Sequence, residues 1–425
     1  MNPIAIYTLS SELHNKRTEQ QEPSPLSRER TGDGSRHSQS AGATVSNDFL
    51  TSLHIDYDLR GSDFTDYGTH TLDMIYVCTG GTEGIFLQLL PQLLAHSQHQ
   101  SLANTLPEER HNPFYLLTSG KNNSLAASME ILSYLRQHGY KGEIIHGNSE
   151  YINHRVNILY KAAEARQKLH GLRLGVIGQP SDWLISSHAD RDKVRQRLGI
   201  ELVDIGMQEL IAASTCENDG DSLSGAMKIY EALKDIVERH HLQGFTLRCF
   251  DLLTTVHNTG CMALARLNAD QGLTTMGIVA GCEGDVPALL SMAIVKALTG
   301  VSGFQANPSS IDPETGTIVF AHCTIPLNMV ERYELDTHFE SGIGVGIRGY
   351  MKPGPVTIFK VSGDLQRCFI AEGDLVRNEA KPDLCRTQQV IRLADPSQAS
   401  YFLTNPIGNH HIIFPGHYKA LLEEI

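Results

Sequence analysis

From Leu72 to Leu298 the chain alternates short apolar runs with longer helix-periodic segments, and no other feature restricts its fold as strongly. MIYVCTGG, FYLLTSG and GEIIHG read as strands, and the spacing predicts helices over Ile85–His96, Leu125–His138 and Val156–Leu169. A second series opens at LRLGVIG and QPSDWLISS. It continues through ELVDIG, a helix over Ala226–Arg239, strands FTLRCFDLL and MGIVAGCEG, and a helix over Pro287–Leu298. Strands that alternate with helices imply parallel sheets covered on both faces.

After Gly300 the pattern changes to β-branched and glycine-rich segments. TGTIVFAHCTIP, SGIGVGIRGY, GPVTIFKVSGDL and RCFIAEGDLV alternate as antiparallel strands do. The expected architecture is α/β, with two Rossmann-like parallel-sheet domains (1–170 and 171–300) followed by a β-rich C-terminal domain (301–425). With 425 residues, the chain exceeds the roughly 250–300 at which single cores stop growing. IAIYTL near the start reads as a strand, whereas residues 15–47 are polar and read as a disordered or long loop. The glycines of SGIGVGIRG lack the preceding strand and following helix of a dinucleotide site, so that reading is set aside.

Composition narrows the partners. A formal charge of −13 argues against a nucleic-acid backbone and against an anionic membrane surface, which leaves a neutral small molecule. No apolar run approaches the roughly 20 residues of a membrane-spanning helix, and MNPIAIYTLSSELHNKR lacks a signal-peptide pattern. The expected location is therefore the cytoplasm. The cysteines Cys78, Cys216, Cys249, Cys261, Cys282, Cys323, Cys368 and Cys385 form no CxxC pair and read as reduced, mostly buried thiols.

Ligands of open parallel sheets bind beyond the carboxyl ends of the strands. Thr79, Gly80, Gly81, Thr82 and Glu83, then Lys121 and Asn123, then the segment around Trp183, all sit at such ends. Thr82, Ser124 and Asp182 read equally well as helix caps. Trp183, the single tryptophan, either stacks on a sugar ring or fills a domain interface. In CEGD an apolar strand delivers Glu283 to its end, while Asp285 is placed to cap the next helix, with Pro287 in the first turn. ANPSSID reads as a loop carrying Asn307 and Asp312, and IVFAHC carries His322. GNHHIIFPGHY places His410 and His411 at the start of a strand, with His417 beyond. Imidazoles and carboxylates brought together suit Mn²⁺, Mg²⁺ or a related divalent ion.

TGGTE, NNSLAA, GVIGQPSDWLI, CEGDVPALLSM, ANPSSIDPETGTIVFAHC and GNHHIIFPGHY resemble the L-fucose isomerase-like proteins, a group similar in fold to L-arabinose isomerase; the resemblance runs from about residue 70 to residue 425. It implies a homo-oligomer, trimer or hexamer, that binds a sugar and a divalent metal, Mn²⁺ first with Mg²⁺ or Co²⁺ as alternatives. It implies a metal-dependent aldose–ketose isomerase acting on a pentose or (deoxy)hexose through a cis-enediol. Its alternatives are a non-catalytic sugar-binding relative, or an epimerase or aldolase-type reaction through the same enediolate. By position Glu283, Asn307, His322 and His410 fall on metal ligands, and Glu283, Asn307 and Asp285 are the candidates for catalysis. Thr79, Gly80, Gly81, Thr82, Glu83, Lys121, Asn123 and Trp183 are the candidates for binding sugar. Asn307 stands where the family usually has an aspartate. An amide oxygen can ligate a hard cation but takes up no proton at neutral pH, so it cannot serve as a base.

Overall fold

The computed structural model describes residues 3–11, 48–96, 112–214, 221–270, 272–274 and 276–425. The polar stretch 15–47 and Cys216 lie outside the described residues. The chain divides into two compact units, Met1–Ala163 and Glu164–Ile425.

In the first unit, β1 (Ile4–Leu9), β2 (Asp58–Gly61), β3 (Leu72–Val77), β4 (Phe114–Thr118) and β5 (Gly142–Ile145) form a parallel sheet in the order β2-β1-β3-β4-β5. The helices are α1 (Glu83–His96), α2 (Ser124–Gln137) and α3 (Ser149–Leu169). Successive strand residues point to opposite faces, so each strand feeds two cores. Ala5, Tyr7, Ile75, Val77 and Leu116 pack on one face with Phe86 of α1 and Ile131 of α2. Ile6, Met74, Tyr76 and Leu117 pack on the other with Ile152 and Val156 of α3.

In the second unit, β6 (Arg173–Ile177), β7 (Glu201–Ile205), β8 (Gly244–Leu247) and β9 (Val279–Cys282) make a parallel sheet ordered β7-β6-β8-β9. Its helices are α4 (Arg191–Leu198), α5 (Met207–Ser214), α6 (Ser222–Arg239), α7 (Asp251–Thr255), α8 (Cys261–Ala269) and α9 (Val286–Thr299). Leu210, Ile229, Leu233 and Leu264 of α5, α6 and α8 cover Ile177, Phe245 and Leu247 on one face. Helix α9 is buried from Val286 to Leu298 and packs against β8 and β9 and also against the barrel strands Gly354–Val361 and His411–Pro415. A helix apolar on all sides is one that is enclosed on all sides.

The remainder is β-rich. Strands β10 (Phe304–Asp312), β11 (Thr317–His322), β14 (Gly354–Val361), β15 (Cys368–Glu379), β16 (Thr387–Leu393) and β17 (His411–Pro415) close a barrel in the order β10-β11-β16-β15-β14-β17. Phe304, Phe320, Ile358, Ile391 and Ile413 meet in its core. Strands β12 (Arg332–Asp336) and β13 (Gly346–Tyr350) form a separate ribbon, and the short helices α10 (Ala399–Thr404) and α11 (Lys419–Leu422) complete the unit. The α/β architecture with a β-rich C-terminal region is the one expected from the sequence.

Two segments differ from expectation. FTLRCFDLL is a strand only as far as Leu247. Arg248 then gathers Asp251, Asp182 and the Pro180 carbonyl, and the chain turns into α7. ANPSSID is not a loop but lies in β10, because it pairs with β11 on one side and, at its start, with β17 on the other. A register shift between Pro308 and Ser310 accommodates the proline, which has no N–H to give the ladder. SGIGVGIRG runs into β13 of the ribbon, with no helix following it. Of the described cysteines, all are free thiols; Cys249, Cys261, Cys282 and Cys323 are buried and Cys368 is exposed. Among the described residues no helix is long and apolar enough to cross a membrane.

Candidate metal centre

Strand β9 ends at Cys282, and Glu283 follows with a left-handed φ of 63°. Such a conformation costs a non-glycine residue about 1–2 kcal/mol, and strain of this kind collects at functional turns. The turn is pinned: the Glu283 carbonyl accepts from the Ser181 N–H at 2.9 Å, and the Gly284 N–H donates to the Leu247 carbonyl at 3.0 Å. A Cβ at Gly284 would lie 2.6 Å from the Gln179 carbonyl oxygen, so only glycine fits beside GQP. Asp285 caps α9 by accepting from the Ala288 N–H at 2.8 Å.

This turn carries the Glu283 carboxylate to two imidazoles from the barrel. Oε1 lies 3.5 Å from Nε2 of His322, at the end of β11, and 3.4 Å from Nε2 of His410, which precedes β17. One ligand atom from each of the three lies within 4.8 Å of the others, and all three residues are buried. The far nitrogens are fixed. His322 Nδ1 is 3.0 Å from the Thr324 hydroxyl, and His410 Nδ1 is 2.8 Å from Asp285 Oδ2. An ionised carboxylate only accepts, so His410 carries a proton on Nδ1. Its Nε2 is buried with no aligned hydrogen-bond partner, and the same holds for Oδ1 of Asn307. Strand β10, which carries Asn307, runs between β11 and β17. One carboxylate oxygen and two imidazole nitrogens form a donor set that could hold a metal ion.

Burial works to raise the Glu283 carboxyl, but the His410 and His322 imidazoles outweigh it and hold the group well below the usual carboxylate range. Burial works to lower His410, yet Glu283 and Asp285 push it up to about 9. Asp285 is raised by burial and lowered more by Lys360 and His410, to about 2. The centre thus concentrates negative charge around imidazoles, an arrangement in which a cation can replace a proton.

Trp183 is half-exposed, donates its indole N–H to Glu283 Oε2 at 2.7 Å, and packs edge-on against Phe250, which packs edge-on against His338. A cavity of about 460 Å³ is lined by Trp183, Ser186, Ser187, Pro308, Gly408 and Asn409 among others. Of these, Trp183 bonds Glu283, Pro308 follows Asn307 and Asn409 precedes His410, and the volume is in the range of small-molecule sites.

The remaining candidates lie elsewhere. Asp312 is exposed and closes the turn after β10 by accepting from Thr315 and the Glu314 N–H. His411 bonds the Asn409 carbonyl and the Tyr401 hydroxyl and is lowered by burial to about 3. His417 lies 3.7 Å from Glu372. Asp182 is held by both ends of the Arg248 fork and caps no helix. In the first unit, Thr79 and Gly80–Glu83 follow β3, and Lys121 and Asn123 follow β4. Thr79 Oγ1 accepts from the Ser11 N–H at 3.0 Å, Thr82 donates to the Thr79 carbonyl, and the Gly80 N–H donates to the Asn122 carbonyl at 2.7 Å. Ser124 accepts from Thr118 at 2.6 Å. Lys121 and Asn123 are exposed.

Sequence reasoning missed Lys360, whose Nζ lies 3.4 Å from both Asp285 oxygens, and the flanking His338, which burial and His322 lower to about 4. The available signal for Lys360 was a lone cation inside the apolar run PVTIFKV.

No family model matches the chain. Among curated proteins it is similar to a sulfoquinovose isomerase of Clostridium sp. (strain MSTE9), 26% identical over 232 residues, 49% of this chain and 49% of that protein. It is also similar to sulfoquinovose isomerases of Priestia aryabhattai (22% over 288 residues, 59% of this chain and 62% of the relative) and of Alkalicoccus urumqiensis (20% over 267 residues, 56% and 59%). The match spans about half the length of the first of these relatives.

Proposed function

We propose that the chain is a divalent-metal-dependent aldose–ketose isomerase acting on a pentose or (deoxy)hexose through a cis-enediol. The observation that carries this reading is the buried Glu283–His322–His410 cluster, with Nε2 of both imidazoles turned toward Glu283 Oε1, near a cavity of about 460 Å³. The names of the similar proteins support a sugar isomerase and place sulfoquinovose among the sugars to be tested.

Glu283, His322, His410 and the amide oxygen of Asn307 are the residues proposed to hold the metal, Mn²⁺ in the first place and Mg²⁺ or Co²⁺ otherwise. When bound, the cation supplies positive charge against the negative charge that develops on O1 and O2 of the sugar. Glu283 is the proposed carrier of the proton between C1 and C2, because its carboxylate stands at a pinned strand end with Trp183 fixing Oε2. Asn307 ligates but moves no proton. Asp285 was a candidate for catalysis from sequence; fully buried and bonded to Ala288, His410 and Lys360, it is assigned to positioning instead. Trp183 offers its exposed ring to the sugar. In the first unit the exposed Lys121 and Asn123, and the Gly80–Gly81 backbone with Glu83, are the candidates for sugar hydroxyls, with Thr79 and Thr82 shaping that loop. A homo-oligomer, trimer or hexamer, in the cytoplasm completes the proposal.

The test is metal content of the purified chain, followed by proton exchange at C2 across aldoses, sulfoquinovose included, with and without added Mn²⁺. Metal-dependent exchange with ketose formation supports isomerisation. Shortened carbon chains or a C2 epimer would transfer the reading to an aldolase or epimerase, and no exchange with any sugar would leave a binding protein.

A further inference from the structure

Strand β14 is buried from Val356 to Val361, and one of those six residues is a lysine. Lys360 is 1% exposed, and its ammonium sits 3.4 Å from each oxygen of Asp285, which is 0% exposed. Buried ion pairs are expensive to desolvate, and well-packed apolar residues in their place are often as stable. Stability therefore does not account for this pair. Its remaining contacts suggest another role. Asp285 accepts from the first turn of α9 through Oδ1 and from His410 Nδ1 through Oδ2, both at 2.8 Å. The carboxylate is thus fixed by a helix N-terminus, an ammonium and an imidazole arriving from three different elements. His411, the next residue, bonds Tyr401 instead, so the two adjacent imidazoles are separated by what each is bonded to.

We propose that Lys360 and Asp285 form a positioning pair for His410: Lys360 locks the Asp285 carboxylate, and Asp285 holds the His410 ring with Nδ1 protonated and Nε2 turned toward Glu283. This inference rests on the metal reading of the Glu283–His322–His410 cluster. It assigns neither residue to contact with sugar. A carboxylate behind a metal-binding imidazole fixes the ring and raises its basicity, and losing one costs about 10–100-fold in metal affinity.

The experiment is Co²⁺ and Mn²⁺ titration of the full chain, with the Co²⁺ absorption spectrum and thermal unfolding of the metal-free protein, for wild type, Lys360→Met, Asp285→Asn and the double variant. Each single variant should bind Co²⁺ about 10–100-fold more weakly than wild type, with an altered spectrum. Lys360→Met also strands a buried carboxylate and should unfold at lower temperature. The double variant removes both charges and retains an amide oxygen to cap α9, so its unfolding should return toward wild type while its Co²⁺ affinity stays low. A double variant, or either folded single variant, with wild-type affinity and spectrum overturns the positioning role. A wild-type chain that takes up neither cation overturns the metal reading, and this inference with it.

Discussion

The carboxyl ends of the two parallel sheets are built alike and finish differently. In the first unit the hydroxyls of Thr79, Thr82, Thr118 and Ser124 are spent on one another and on neighbouring backbone. In the second, the equivalent edge ends in Glu283, whose Oε1 lies 3.5 Å from Nε2 of His322 and 3.4 Å from Nε2 of His410. A parallel strand end supplies a location for chemistry. What it becomes depends on what else reaches it, and within the second unit strands of the β-barrel bring His322 and His410 to Glu283.

The contrast is broken most directly at Glu283. Glu283→Gln should lower kcat by about 10²–10⁴-fold, the range of a lost proton-transfer group, in steady-state assays with saturating Mn²⁺; activity near wild type would remove the chemistry from this edge. His410→Ala should weaken Mn²⁺ binding by calorimetry by more than the 10–100-fold associated with a residue behind a ligand. Asn307→Asp puts an ionised oxygen where the amide stands and should tighten Mn²⁺ by roughly tenfold through ligand charge. An unchanged affinity would place residue 307 outside the coordination set. The smallest effect belongs to the other edge. Thr82→Val removes one buried hydrogen bond and should cost about 1 kcal/mol in denaturant unfolding, with Mn²⁺ affinity unmoved; a loss of affinity there would show that the first unit's edge is also functional.

The sequence exposed the parts of this site that local rules govern. An apolar strand ending in an acid before a helix marks Glu283, and Asp285 with Pro287 in the first turn marks a cap, because strand ends and caps are set by neighbouring residues. His322 and His410 were visible as residue types, but their meeting depends on β10 pairing with β17, which joins Ala306 to His411 across the whole β-rich region. ANPSSID carries Pro, Ser and Asp and looks like a loop; barrel closure overrides that preference, as tertiary context does with β-propensity. Lys360 was missed for a different reason: no local rule marks a lone cation within PVTIFKV, and its partner, Asp285 at the cap of α9, stands 75 residues earlier.

Helix α9 is enclosed by the parallel sheet on one side and by β14 and β17 on the other, and Asp285 caps its start. The second unit is consequently a poor substrate for exchange of modules during evolution. A crossover near residue 300 between diverged homologues would pair one parent's Asp285 with the other's β14, leaving an acid or a lysine in the interior without its counterion. Lineages of this fold should therefore change α9 and β14 in concert, inheriting the ion pair whole or losing it whole.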